Sequence, residues 1–175
     1  VRIYDCVLSF GGKAIITSKD HKSGTDRIAE AIQTIPGIYD VVVNIQGDEP
    51  FIHKSQIEIL CHCFDDTTTQ IATLGKYFRT MQEVKNPNSP KIVLDNNNYA
   101  MYFSRSIIPF VRGTETRDWL SSYPFLKHIG IYAYKRDVLK EITNLQQSSL
   151  EKAEILEQLR WLQNGYKIKV GITDI

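Results

Sequence analysis

The stretch 41-VVVNIQGDEP-50 changes character in one step. Val41 to Ile45 is a near-continuous β-branched run with only Asn44 polar, which is the pattern of a strand covered on both faces by helices. A glycine and two adjacent carboxylates follow at once. In an open α/β sheet, ligands collect just beyond the carboxyl ends of the strands, and Gly47-Asp48-Glu49 falls at that point. Glycine lets the backbone turn and a ligand come close, while a carboxylate offers the hard oxygen that magnesium takes alongside phosphate oxygens. The competing reading is that Asp48 or Glu49 caps the next helix.

Working outward, the chain begins with a half-helix carrying Ile3, Val7 and Leu8 on one face, and Gly11-Gly12 breaks it. Such an opening leads us to expect residues preceding Val1. Lys13 to Thr17 reads as a short strand. A helix follows, with Ile28, Ala31, Ile32 and Ile35 at helical spacing, and Pro36-Gly37 ends it. Strand, helix, strand and helix in succession imply a parallel α/β sheet.

Ser55 to Phe64 is helical, and 71-IATLGKYF-78 is a strand. In 91-KIVLDNNNYAMYFSR-105 the residues alternate around an asparagine turn, which predicts a hairpin and makes the sheet mixed. Residues 110–126 contain Gly113 and Pro124 without a clear period and read as a surface excursion. The segment 127-KHIGIYAY-134 is again a strand. Ser148 and Glu151 form a capping box for a helix to about Gln163, Gly165 stops it, and 166-YKIKVGIT-173 is the last strand. We find no repeat and no linker, so residues 1–175 read as one domain.

With 175 residues, 42% of them hydrophobic, the chain can bury one sizeable core. Its 21 basic and 20 acidic residues are interspersed, which leaves no broad footprint for nucleic acid or an anionic membrane. A charged ligand must be held locally. No apolar run has membrane-spanning length. The odd cysteine count suits reduced thiols and a cytoplasmic protein, and Cys61-His62-Cys63 lacks the second ligand pair of a zinc site.

A second candidate site is 21-HKSGTDR-27. Ser23 or Thr25 can cap a helix whose free amides, with Arg27 beside them, suit phosphate or polar ring edges; the plain alternative is a cap with a solvated arginine. His128 and Tyr132 share one face of a strand, about 13 Å apart along it. Arg105 is a natural carboxylate partner because its planar fork donates two parallel hydrogen bonds. Glu154 and Gln158 share a helix face. Tyr99, Tyr102 and Phe103 alternate on the hairpin, where we expect a dimer contact.

The segments HKSGTDRIAE, VVVNIQGDEPFI, NPN (86–88), YFSRSIIPF, KHIGIYAYKRDVL and LEKAEILEQLRWLQNGYKI together resemble the CMP-Kdo synthetases, the 3-deoxy-manno-octulosonate cytidylyltransferases. The resemblance runs in family order over nearly the whole chain. It implies a nucleotide-diphospho-sugar-transferase-like α/β fold, with a mixed, mostly parallel sheet, helices on both faces and an antiparallel dimerisation hairpin. It also implies a homodimer that transfers CMP from CTP to Kdo with Mg2+, activating the sugar for lipopolysaccharide synthesis. Ser23, Gly24 and Thr25 correspond to the base-reading turn, with Arg27 beside the nucleotide or sugar. Gln46 and Asp48 correspond to the sugar-facing amide and the magnesium ligand. Ser104, Arg105, His128, Tyr132, Glu154, Glu157 and Gln158 correspond to the sugar pocket.

The family's N-terminal basic, glycine-containing triphosphate loop and its C-terminal acidic metal motif have no match in these residues. The expectation is that residues 1–175 alone do not turn over. Two rival readings are a sialic-acid cytidylyltransferase and a non-catalytic nucleotide-binding module.

Overall fold

The computed structural model describes residues 2–47 and 51–175; Asp48, the expected metal ligand, lies with Glu49 and Pro50 outside the described residues. The valine run forms β1 (Val41–Asn44). Before it come α1 (Arg2–Ser9) and α2 (Gly24–Thr34). After it come α3 (Lys54–His62), β2 (Ile71–Tyr77), α4 (Met81–Lys85) and a hairpin of β3 (Lys91–Leu94) and β4 (Ala100–Ser104). The chain continues through α5 (Trp119–Ser122), β5 (Leu126–Lys135), α6 (Arg136–Ile142), α7 (Ser149–Glu154), α8 (Gln158–Gln163) and β6 (Ile168–Ile172).

These strands make one sheet in the order β4-β3-β5-β2-β6, and β1 also pairs with β5. Along one edge of β5, β3 holds Leu126 and Lys127 while β1 holds Tyr132 to Lys135. Strand β2 runs along the other edge. The expected predominance of parallel pairing is corrected. β2 with β6 is the parallel pair among the described residues; the other pairings are antiparallel, because β5 runs against β1, β2 and β3 alike and β3 turns back on β4 as a hairpin.

Alternation along the strands sends side chains to both faces, as the β-branched run requires. Val42, Ile71, Tyr132, Tyr134, Ile168 and Val170 pack with α2, α6 and α8 through Ala29, Leu139, Ile142, Leu159 and Trp161. Val41, Val43, Ala72, Leu74, Ile131 and Ala133 pack on the opposite face against Ile59, Leu60 and Cys63. Burial of each large aliphatic side chain here contributes about 1.5–3 kcal/mol. Helices therefore cover both faces.

Four local expectations change. Lys13 to Thr17 forms no strand, because its neighbourhood is held by side chains of α2 instead of a ladder. Arg27 Nη1 donates to Thr17 Oγ1 (2.5 Å) and to the Ser18 carbonyl (2.9 Å), and Glu30 accepts from the Ser18 amide. The helix from Ser148 to Gln163 is two helices, with Ile155 between them in the left-handed region at φ 52°. The excursion at 110–126 is not wholly superficial, since Trp119 and Phe125 form a buried cluster with Phe78 and Val84. Phe103 is fully buried and packs edge-on against His128, which removes it from the expected dimer contact.

Helix α6 has no counterpart in the sequence reading, although Val138, Leu139 and Ile142 sit at helical spacing and are buried.

Candidate functional site

The end of β1, the start of α2 and residues of β5 enclose a cleft of about 390 Å³, lined by Gly24, Thr25, Arg27, Gln46, Gly47, Tyr132 and Glu157 among others. Ser23 starts α2 with a capping box. Its hydroxyl accepts from the Asp26 amide (3.1 Å), and the Asp26 carboxylate accepts from the Ser23 amide (3.2 Å). The amides of Gly24 and Thr25 lie in the first turn, where a helix has no acceptor of its own for them. Such a turn suits an anionic or acceptor-rich ligand edge.

Thr25 Oγ1 donates to Glu157 Oε2 at 2.8 Å. This bond brings the turn at 23–25 and the α7–α8 corner together. Burial pushes the Glu157 carboxyl up, against the hydrogen bond from Thr25 and the charge of Arg160. The Arg160 guanidinium approaches Glu157 at 3.8 Å but is committed to Glu151, donating through Nε (2.8 Å) and Nη2 (2.6 Å).

Tyr132 and Tyr134 stack side by side on β5, 5.9 Å between ring centroids, and Trp161 meets both edge-on. Both hydroxyls are buried and make no hydrogen bond of ordinary geometry; the amide nitrogen of Gln158 is in the same condition. Burial pushes both phenols well up, so they stay protonated and able to donate. Buried donors of this kind call for a water or ligand acceptor.

The 13 Å expected between His128 and Tyr132 is corrected by an irregularity in β5. Thr73 pairs with Tyr132 and Leu74 with Ile129, so Gly130 and Ile131 are extra. The ring centroids of His128 and Tyr132 lie 5.4 Å apart in consequence. A bulge leaves carbonyls without ladder partners, and neighbours meet them here. Thr73 Oγ1 lies 2.8 Å from the Ile131 oxygen and 3.2 Å from that of Ile129, and Gln46 Nε2 donates to the Gly130 oxygen at 2.9 Å. With the Thr73 proton committed to a carbonyl, His128 Nε2 must be the donor in its 3.1 Å contact with Thr73 Oγ1. Burial depresses the His128 pKa to about 3, so the ring is neutral. His128 and Gly130 face a second cleft of about 510 Å³ beside the first, with Lys76, Asn88 and Lys127.

Ser104, Arg105 and Glu154 are brought together, but they line neither cleft. Glu154 accepts from the Ser104 hydroxyl (2.6 Å) and the Arg105 amide (2.9 Å). The Arg105 guanidinium donates to the carbonyls of Glu154 (2.6 Å), Pro87 (3.0 Å) and Ile155 (3.2 Å). The expectation of a fork free for a sugar carboxylate is therefore corrected: breaking the helix at Ile155 frees carbonyls that Arg105 caps. Sequence reasoning missed Tyr134 and Asn44, both at the first cleft. Tyr134 lies two residues beyond Tyr132 on the same strand face, a signal that alternation carried.

The cytidylyltransferase family model matches residues 1–168. The chain is 61% identical over 178 residues to the 3-deoxy-manno-octulosonate cytidylyltransferase of Parabacteroides distasonis, covering 99% of this chain and 71% of that protein. It is also 61% identical over 177 residues to the protein of that name from Bacteroides thetaiotaomicron, with coverage of 99% and 71%. A solved structure of CMP:2-keto-3-deoxy-manno-octonic acid synthetase complexed with CTP superimposes with a TM-score of 0.90 at 39% identity, covering 99% of this chain and 69% of that one.

Proposed function

The chain belongs to the cytidylyltransferase family, and from that premise we propose that its cleft serves the transfer of CMP from CTP to 3-deoxy-manno-octulosonate (Kdo), giving CMP-Kdo and pyrophosphate. The observation that carries this reading is the convergence of Thr25, Gln46, Tyr132 and Glu157, from four separate segments, on one cleft at the carboxyl end of β1.

The sugar's anomeric hydroxyl attacks the α-phosphorus in line. A new phosphorus–oxygen bond forms as the bond to the bridging oxygen breaks, and pyrophosphate leaves. Catalysis of this kind rests on positioning and on neutralising charge. The Ser23-Gly24-Thr25 turn receives the nucleotide, in keeping with its free amides. Arg27, braced on Thr17 and Ser18, supplies a fixed cation at the cleft wall. The buried donor of Tyr132, at the wall of the cleft, suits an oxygen of the sugar acid. His128, neutral and hydrogen-bonded to Thr73, offers its other ring nitrogen as an acceptor on the adjoining cleft.

Magnesium is the proposed cofactor and Asp48 its proposed ligand, where a carboxylate would neutralise and orient phosphate oxygens through the ion. Among the described residues no group of three histidine, cysteine or acidic side chains gathers to hold a metal. No helix among the described residues is long and apolar enough to cross a membrane. The proposed setting is the cytoplasm, where CTP is available. The proposed assembly is a homodimer through the β3–β4 hairpin, whose outer strand is a sheet edge carrying an exposed Met101.

The test is pyrophosphate release by the full-length protein from CTP with Kdo or with a nine-carbon sialic acid. Release that requires CTP and Kdo together is expected. Release that prefers the nine-carbon acid would replace the sugar assignment, and absence of release with any acidic sugar would end it.

A further inference from the structure

Lys91 opens β3 and is completely buried. Its ammonium donates to the carbonyls of Asn86 (3.0 Å) and Arg105 (2.7 Å). Desolvation works against its charge and the nearby Glu154 carboxylate supports it. A buried ammonium is costly, and an apolar side chain of similar volume would fill the space without that cost. A charge retained here marks a hydrogen-bonding task.

The two carbonyls it holds belong to the start of the 86–90 loop and to the residue that ends the hairpin. From Arg105 the connection continues through side-chain bonds. Its guanidinium ties Pro87 on one side and the Glu154 and Ile155 carbonyls on the other. Ile155 is the left-handed corner between α7 and α8. Just beyond it come Glu157, hydrogen-bonded to Thr25, and Gln158, whose buried amide nitrogen has no partner.

We propose that Lys91 is a positioning residue for the sugar-acid side of the cleft, fixing the Arg105 backbone and through it the Ile155 corner that aims Glu157 and Gln158. This rests on the reading of the cleft as a CTP and Kdo site. Lys91 itself touches no substrate. Its effect is on where the corner sits, so it reaches the ligand that the corner faces and spares the one held by the α2 turn.

The test compares full-length wild type with Lys91→Met and Lys91→Arg. Lys91→Met is expected to raise KM for Kdo about tenfold while KM for CTP stays within about twofold. Lys91→Arg, which keeps the charge and the donors, is expected to recover most of that loss. A folded Lys91→Met with both KM values unchanged, or both raised equally, overturns the proposal. If Lys91→Met does not fold, Lys91→Gln, which keeps an amide donor, carries the same comparison. Hydrogen exchange separates this proposal from the functional reading. Amides of residues 155–159 are expected to exchange faster in the variant while those of α2 do not. That result in a protein inert to both substrates would sink the functional reading alone; unchanged exchange at the corner would sink the positioning role.

Discussion

Thr25 and Glu157, 132 positions apart in sequence, are joined by a hydrogen bond of 2.8 Å from the threonine hydroxyl to the carboxylate. One residue lies in the first turn of α2, and the other precedes α8. Their contact closes the cleft between them.

Replacing Thr25 by valine keeps the shape and removes the donor, leaving a half-buried carboxylate oxygen without its partner. The expected loss is about 1–3 kcal/mol of unfolding free energy, measured by urea titration near neutral pH. Glu157→Gln should cost less, because a neutral amide still accepts from Thr25 and is cheaper to bury. Equal losses for the two variants would show that the charge of Glu157 is not what makes the bond necessary.

His128 links stability to pH. Its pKa is depressed to about 3 in the folded protein by burial, against about 6.5 in an unfolded chain. The unfolded state therefore takes up a proton that the folded state refuses across this window. The contribution of His128 is complete above the unfolded pKa and is lost as pH falls toward the folded value. Urea unfolding of His128→Gln at a series of pH values should show a shallower decline between about pH 6.5 and 4 than wild type. Parallel declines would mean that His128 is not the group responsible.

Glu151 and Arg160 form a two-point ion pair with side chains 7% and 13% exposed. Burial raises the Glu151 carboxyl, but the hydrogen bonds and charge of Arg160 outweigh it and hold it below its usual value. Removing only the carboxylate in Glu151→Leu strands the guanidinium and breaks the capping box of α7, at an expected cost of about 3 kcal/mol. The double variant Glu151→Leu with Arg160→Met should recover part of that loss. Chemical denaturation of wild type, Glu151→Leu, Arg160→Met and the double variant in a double-mutant cycle checks this, and simple additivity would contradict it.

Much of the fold was legible because its information is local. The β-branched run at 41–45 and the asparagine turn at 95–98 each announce their own conformation, and both appear. The capping box expected at Ser148 is present, and of the two candidate caps Ser23 and Thr25 it is Ser23 that caps α2. The helix after Ser148 nevertheless stops at Ile155, because Arg105, 50 residues away, supplies donors to carbonyls that a continuous helix would have used itself. The candidate site was legible in the same uneven way. The turn at 23–25 was read from its place before a helix and Gln46 from the family resemblance, and Gly24, Thr25 and Gln46 line one cleft. Arg105 was read by its chemistry as a ligand, and the same chemistry made it a brace.

By itself the sequence determined the strands at 41–44, 71–77, 91–94, 100–104, 126–135 and 168–172 and the caps at Ser23 and Ser148, since these depend on side chains a few positions apart. Tertiary structure alone decided that β5 would lie antiparallel to three neighbours, that a bulge would bring His128 to Tyr132, and that Glu157 would reach Thr25. The physical reason is that pairing direction, register and the partners of buried polar groups are settled between residues distant in the chain. No short window of residues encodes them.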